Sequence, residues 1–158
     1  MMIGASLVFD RDPPRVVRSM VEKWVPRLPF VSVFLSRVGQ IVGTPDNCRR
    51  LLERGEAILV FPEGARALYW GERSIKRGAA WLSMATGAPI VPCAVNGTEA
   101  TLSLANPGIH VPSTRITLHP PLYPGSYIDR EDPLGAMMDD WVAALDEELK
   151  HWQPKESQ

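Results

Sequence analysis

The sequence predicts an α/β domain: a mostly parallel central sheet flanked by helices. Three observations carry that prediction. Residues 57–61, Ala-Ile-Leu-Val-Phe, are apolar at every position instead of alternating, which is the pattern of a strand covered on both faces. A helical stretch, Ser-Ile-Lys-Arg-Gly-Ala-Ala-Trp-Leu-Ser-Met-Ala-Thr-Gly, ends at Gly87, and a second apolar run, Ala-Pro-Ile-Val-Pro-Cys-Ala-Val, follows it. Strand, helix and strand at this spacing form a βαβ unit, whose crossover is right-handed. A chain of 158 residues and 17.5 kDa suits one such domain with a sizeable core. It shows no internal repeat, low-complexity stretch or linker, so residues 1–158 are expected to form a single domain, with 153–158 a disordered tail.

The other elements follow in chain order. Residues 13–25 place Val16, Val17, Met20, Val21, Trp24 and Val25 on one helical face, with Arg15, Arg18 and Lys23 largely on the other. That spacing predicts an amphipathic helix, ended by Pro26 and Pro29. A second helix starts with Thr44 as N-cap, Pro45 at its first position and Asp46 in its first turn, and Gly55 closes it. A weaker strand is expected at Arg115–Leu118. A closing helix runs from about Pro133, capped by Asp132, to about Trp152.

Composition narrows the function classes. Apolar residues make up 45% and charged residues 22%, the balance of a folded globular chain. The net charge of −1 gives no global basic field, so nucleic acid is not an expected partner. The charge is unevenly placed. Residues 1–50 carry 8 Lys and Arg against 4 Asp and Glu, whereas residues 120–158 carry 3 against 9. This asymmetry hints at an anionic partner near the N-terminal part, and two solvated faces of opposite sign explain it equally well. Cys48 and Cys93 form no CxxC pair, so neither a disulfide framework nor a zinc site is suggested and a reducing compartment fits. The N-terminal residues lack the basic region and cleavage site of a signal peptide. The longest uncharged run, Gly78 to Thr98, is broken by Gly87, Pro89 and Pro92, so no transmembrane helix is expected. A GxSxG elbow, a GxxxxGK[ST] loop and a GxGxxG loop are all missing, which weakens hydrolase and nucleotide-binding readings.

The stretch Phe61-Pro62-Glu63-Gly64-Ala65-Arg66 is the most informative. Ligands of open α/β sheets bind beyond the carboxyl ends of the strands, and this stretch sits at such an end. Pro62 cannot extend a strand ladder, and Gly64 allows a backbone turn that other residues resist. Arg66 offers a planar fork of donors to a phosphate or carboxylate. A partly buried Glu63 is costly unless paired, so it should have a fixed partner: Arg66 or a substrate hydroxyl. A solvated turn is the plainer alternative. Lys76 and Arg77, at a helix start, oppose its dipole and so either face solvent or meet an anion.

With its flanks, Leu-Leu-Glu-Arg-Gly-Glu-Ala-Ile-Leu-Val before and Ile-Lys-Arg-Gly-Ala-Ala-Trp-Leu-Ser-Met-Ala-Thr-Gly-Ala-Pro-Ile-Val-Pro after, this stretch resembles the glycerolipid and lysophospholipid acyltransferases, the superfamily that acylates 1-acylglycerol-3-phosphate. Upstream, Val-Gly-Gln-Ile-Val-Gly-Thr-Pro-Asp-Asn looks like the second block of its monoacylglycerol acyltransferase-like branch. The resemblance covers about residues 26–100. It implies a glycerol-3-phosphate acyltransferase-like fold, here N-terminally truncated. It also implies transfer of a fatty acyl group from acyl-CoA or acyl carrier protein to a hydroxyl of a glycerolipid or lysophospholipid, with no further cofactor. Carried over, Glu63, Gly64 and Arg66 would hold the acceptor head group, with Lys76 a further phosphate contact. Phe61, Pro62, Pro89 and Pro92 would line the pocket. Such enzymes work at membranes, so a peripheral place on a cytoplasmic membrane face is expected, and a helix at 13–25 could lie on an anionic surface or pack on the sheet.

Two departures qualify this. The family's Asn-His-x-x-x-x-Asp block supplies a general base and the carboxylate that orients it. The residues five positions after His110, His119 and His151 are Arg115, Pro124 and Glu156, so none forms the block. Three accounts stay open: a fragment or a misread start of an enzyme, a relative that binds lipid or acyl thioester without turnover, or another base. The second departure is Pro45, which stands where the second block often carries a phosphate-binding arginine. Arg49 and Arg50 follow one turn later and could substitute, although they point elsewhere on the helix, so a neutral glycerolipid or another alcohol stays open as acceptor.

Overall fold

The computed structural model describes residues 17–21, 41–65, 67, 69–96 and 115–150. Strands β1 (Val17–Val21), β2 (Ile41–Val42) and β3 (Ala57–Leu59) form a parallel sheet in the order β2-β1-β3. Val17 pairs with Ala57 and Ser19 with Leu59, while Met20 pairs with Ile41. Between β2 and β3 the chain crosses over through helix α1 (Pro45–Glu53). Helix α2 (Gly78–Thr86) follows β3. Strands β4 (Cys93–Asn96) and β5 (Arg115–Leu118) make an antiparallel pair, and helix α3 (Pro133–Leu149) packs against β4 and α2. The class is α/β, as the sequence predicts.

The helix caps are those the sequence prescribes. The Thr44 hydroxyl accepts from the Asn47 amide at 3.3 Å, and Pro45 occupies the first turn. At the other end Gly55, at φ 77°, donates to the Leu52 carbonyl (2.9 Å) and Glu56 to the Leu51 carbonyl (3.0 Å). These two bonds make a Schellman closure, for which a left-handed residue is needed. Gly87 ends α2 the same way at φ 74°, donating to the Ser83 carbonyl. Asp132 caps α3 by accepting from the Gly135 amide at 3.0 Å.

Two expectations are corrected. Residues 17–21 form a strand and not part of a helix. Their apolar spacing fits a helical face, but a strand central in its sheet is covered on both sides and shows no alternation to betray it. All four side chains Val17–Met20 are half-buried, and valine in this run favours the pleated conformation. Arg18, expected on a basic helical face, instead donates to Glu56 at 2.7 Å and so ties β1 to the start of β3. The remainder of the 13–25 reading, Trp24 included, lies outside the described residues. The second correction concerns the βαβ unit. Among the described residues β3 and β4 share no ladder, and β4 pairs with β5, Cys93 opposite Leu118 and Asn96 opposite Arg115. The pairing continues past Pro92, whose carbonyl accepts from the His119 amide (2.9 Å), to an Ile90–Leu122 bridge. An apolar run specifies that a strand is covered, but its partner is chosen by tertiary packing.

The core lies on the C-terminal side. Trp70, Ala80, Ala94, Tyr127, Met137, Met138, Trp141, Leu145 and Leu149 form one buried cluster. The Trp70 and Trp141 rings meet at 6.0 Å, and Trp70 Nε1 donates to Asp146 at 3.0 Å, which satisfies the only polar atom of that indole. No helix among the described residues is long and apolar enough to cross a membrane.

Candidate functional site

The turn after β3 is built from its own residue types. The Gly64 amide donates to the Phe61 carbonyl at 3.0 Å, closing a four-residue turn with proline second and glycine fourth. Proline presets the φ this position needs, and Gly64 sits at φ 68°, where a side chain is strained. A second bond holds the turn from outside: the Lys76 amide donates to the Pro62 carbonyl at 2.9 Å. Two residues before α2 begins, the chain is thereby clipped onto the end of β3.

That clip positions a charge. The Lys76 side chain lies across Gly64, with its Cε 2.7 Å and its Cδ 3.0 Å from where a Cβ on Gly64 would stand, and its ammonium closer still. Glycine is therefore favoured by its backbone angle, and a side chain in its place would push the flexible lysine aside. Around this corner Phe61 is 61% exposed, Pro62 is buried and Glu63 is half-buried. Neither Glu63 nor Lys76 makes an ion pair or side-chain hydrogen bond with a described residue. A half-buried carboxylate and an exposed ammonium thus share one corner, both available to a ligand. Arg66, the expected fork donor, lies outside the described residues.

The neighbouring cation has a different task. Arg77 pairs with Asp132 at 2.8 Å, joining the start of α2 to the cap of α3. Gly135 sits beneath this pair, where an added Cβ would press on the Asp132 carboxylate and approach Arg77 Nη2 at 3.3 Å. Of the two cations at the helix start, Arg77 meets an anion and Lys76 meets none among the described residues. The two prolines expected to line a pocket also diverge: Pro92 is fully buried and Pro89 is exposed.

Three features were not anticipated. The seat of Lys76 on Gly64 joins residues twelve apart through loop geometry that periodicity does not encode. His119, expected merely at a strand end, makes a 3.1 Å contact from Nε2 to Glu148, whose carboxylate also accepts from Thr117 at 2.6 Å. The Thr117 bond, and after it the His119 bond, hold the Glu148 carboxyl below its ordinary range despite burial. Cys93 is close enough to feel that charge: burial first, and then Glu148, push its thiol up, which disfavours the nucleophilic thiolate. The third feature is an open concavity of about 310 Å³, lined by Val42, Asn47, Arg50, Leu51 and Arg54, along α1 and away from the Phe61–Gly64 turn. Its only signal in the sequence is the four-residue spacing of Arg50 and Arg54.

Residues 1–96 match the family model for Acyltransferase, a span that contains the parallel sheet, the turn, Lys76 and α2. A chloroplastic 1-acyl-sn-glycerol-3-phosphate acyltransferase of Brassica napus is 32% identical over 84 residues, 52% of this chain and 24% of that protein. An uncharacterised protein of Mycobacterium leprae is 30% identical over 106 residues, 63% of this chain and 29% of its own length. The chain thus spans less than a third of these curated relatives. The crystal structure of the 1-acyl-sn-glycerophosphate acyltransferase PlsC from Thermotoga maritima superposes with a TM-score of 0.63 at 20% identity, over 87% of this chain and 58% of that one. The family model covers more than half the chain, and this chain belongs to the Acyltransferase family.

Proposed function

We propose that the chain carries the acceptor site of an enzyme that moves a fatty acyl group from acyl-CoA or acyl carrier protein to a hydroxyl of a glycerolipid or lysophospholipid. The observation that carries this reading is the Lys76 ammonium laid across Gly64, beside the half-buried Glu63, which has no ion-pair partner among the described residues, at the carboxyl end of a parallel strand. In this reading Lys76 and Arg66 neutralise an anionic head group, and Glu63 accepts a hydrogen bond from an acceptor hydroxyl. Phe61, the most exposed aromatic ring at this corner, meets apolar substrate. A lipid acceptor brings the protein to a membrane surface, on its cytoplasmic face.

No histidine of the 158 residues is followed five positions on by aspartate. General acid–base help is worth about 10²–10⁴-fold. This polypeptide by itself is therefore expected to turn over little or no substrate. The same observation favours a second reading, a module that binds lipid or acyl thioester without turnover. Robust acyl transfer by the purified 158-residue chain would overturn the expected lack of turnover. In any form of the protein that transfers acyl groups, Glu63→Ala and Arg66→Ala should each lower that transfer severalfold. Near-normal transfer in both would remove the acceptor-site role, while head-group binding without transfer in any form of the protein would favour the second reading.

A further inference from the structure

Helix α1 carries three arginines near its end, and the fold uses them differently. Arg49 donates to Glu53 at 2.7 Å one turn on, which occupies the carboxylate nearest the helix end. Arg50 and Arg54 lie on another face, where with Asn47 and Leu51 they line the concavity whose far wall is Val42. The Asn47 side-chain Nδ2 donates to the Val42 carbonyl at 3.1 Å, so Val42 is fixed to the helix. Neither Arg50 nor Arg54 makes an ion pair with a described residue. Like charges four apart on a helix repel, and the helix dipole near the last turn offsets part of this. An anion seated between the two guanidiniums would convert that repulsion into two charge-assisted contacts. The first 50 residues also hold the chain's excess of basic side chains, 8 against 4 acidic.

We propose that this concavity is a phosphate-binding site, with the Arg50 and Arg54 guanidiniums as its donors. It is separate from the turn at Gly64. Helix α1 starts at the carboxyl end of β2 and returns the chain to the start of β3, so Arg54 lies at the opposite end of the parallel sheet from Gly64. The proposal does not depend on acyl transfer, and its test reads binding alone.

The test is a titration of the 158-residue chain with pyrophosphate, followed through arginine side-chain NMR signals, with circular dichroism confirming that each variant is folded. Saturable binding is expected. It should weaken at least about tenfold in the Arg50→Ala/Arg54→Ala double variant, yet stay within about twofold in Arg49→Ala, whose guanidinium is already paired. Absence of saturable binding, or equal weakening in Arg49→Ala, would overturn the site, because the second result is what bulk charge alone produces. A second arm identifies the source of the phosphate. Binding to phosphatidylglycerol-containing vesicles but not to pure phosphatidylcholine, lost in the double variant, supports a lipid head group. Pyrophosphate binding without vesicle binding supports a soluble phosphate compound.

Discussion

The parallel sheet with its turn and the helix α3 with its surroundings are held together on different terms. Helix α3 buries Gly135, Met137, Met138, Trp141, Leu145 and Leu149, and its cap and last turn are tied to other elements through Arg77 and Glu148. In β1 and β3, by contrast, every side chain that is described remains half-buried. The same division runs through the charge, basic toward the N-terminus and acidic toward the C-terminus, and through the family match, which stops at residue 96. The C-terminal region is a packed scaffold. The N-terminal part presents Glu63, Lys76, Arg50 and Arg54, none of which forms an ion pair among the described residues. A residue that holds the fold and one that meets a ligand should therefore be separable by mutation.

The strongest way to break that comparison is Met137→Ala, at a fully buried position. It should cost about 2–5 kcal/mol in urea unfolding, as large-to-small core changes do. The NMR signals of residues 61–64 and 76 should stay in place below the transition. If they move as far as those of α3, the two regions are one unit. Next in size is Gly64→Ala, at a left-handed angle and under Lys76. The backbone strain should cost about 1–2 kcal/mol. The flexible lysine can swing aside cheaply, so the larger consequence should be a displaced ammonium, seen as a changed Lys76 side-chain signal and, in any form of the protein that transfers acyl groups, as reduced transfer.

Smaller effects come from titration, and both belong to the scaffold. Burial, together with the hydrogen bond it donates to Asp140 at 2.7 Å, pushes the Tyr127 hydroxyl up to about 12. Its folded pKa is raised, so its stabilisation is complete below the unfolded tyrosine value and is lost as pH rises through the folded one. Stability should fall as pH climbs from about 10 toward 12, and Tyr127→Phe should flatten that limb. Glu148 has the opposite sign. Its folded pKa is lowered by Thr117 and then His119, so its contribution is present above the unfolded carboxyl value and is lost as pH falls through the folded one. Thr117→Val should reduce this acid limb. The smallest effect should be Arg49→Ala, which removes an exposed pair and should leave the thermal unfolding midpoint nearly unchanged. A marked drop in that midpoint would give α1 a part in global stability that the comparison denies it.

What could be foreseen from the sequence was local. Thr44, Pro45, Gly55, Gly87 and Asp132 each act through backbone groups a few residues away, so their identities alone placed both ends of α1, the end of α2 and the start of α3, whereas α2 begins at Gly78 and not at the expected Ser74. Strand β5 fell at its expected residues for the same reason, and the Phe61–Gly64 turn was legible because proline and glycine restrict the backbone wherever they stand. Tertiary structure decided everything that depends on which surface faces which. A run of valines can be a helix stripe or a buried strand until neighbours exist to cover it, so residues 17–21 became a strand only between β2 and β3. Strand β4 found β5 instead of β3, because apolar strands carry no address for their partner. Lys76 and Arg77 are adjacent cations that the sequence cannot tell apart. Packing gave one of them Asp132 and left the other over Gly64, because charges are assigned partners by distance in space and not along the chain.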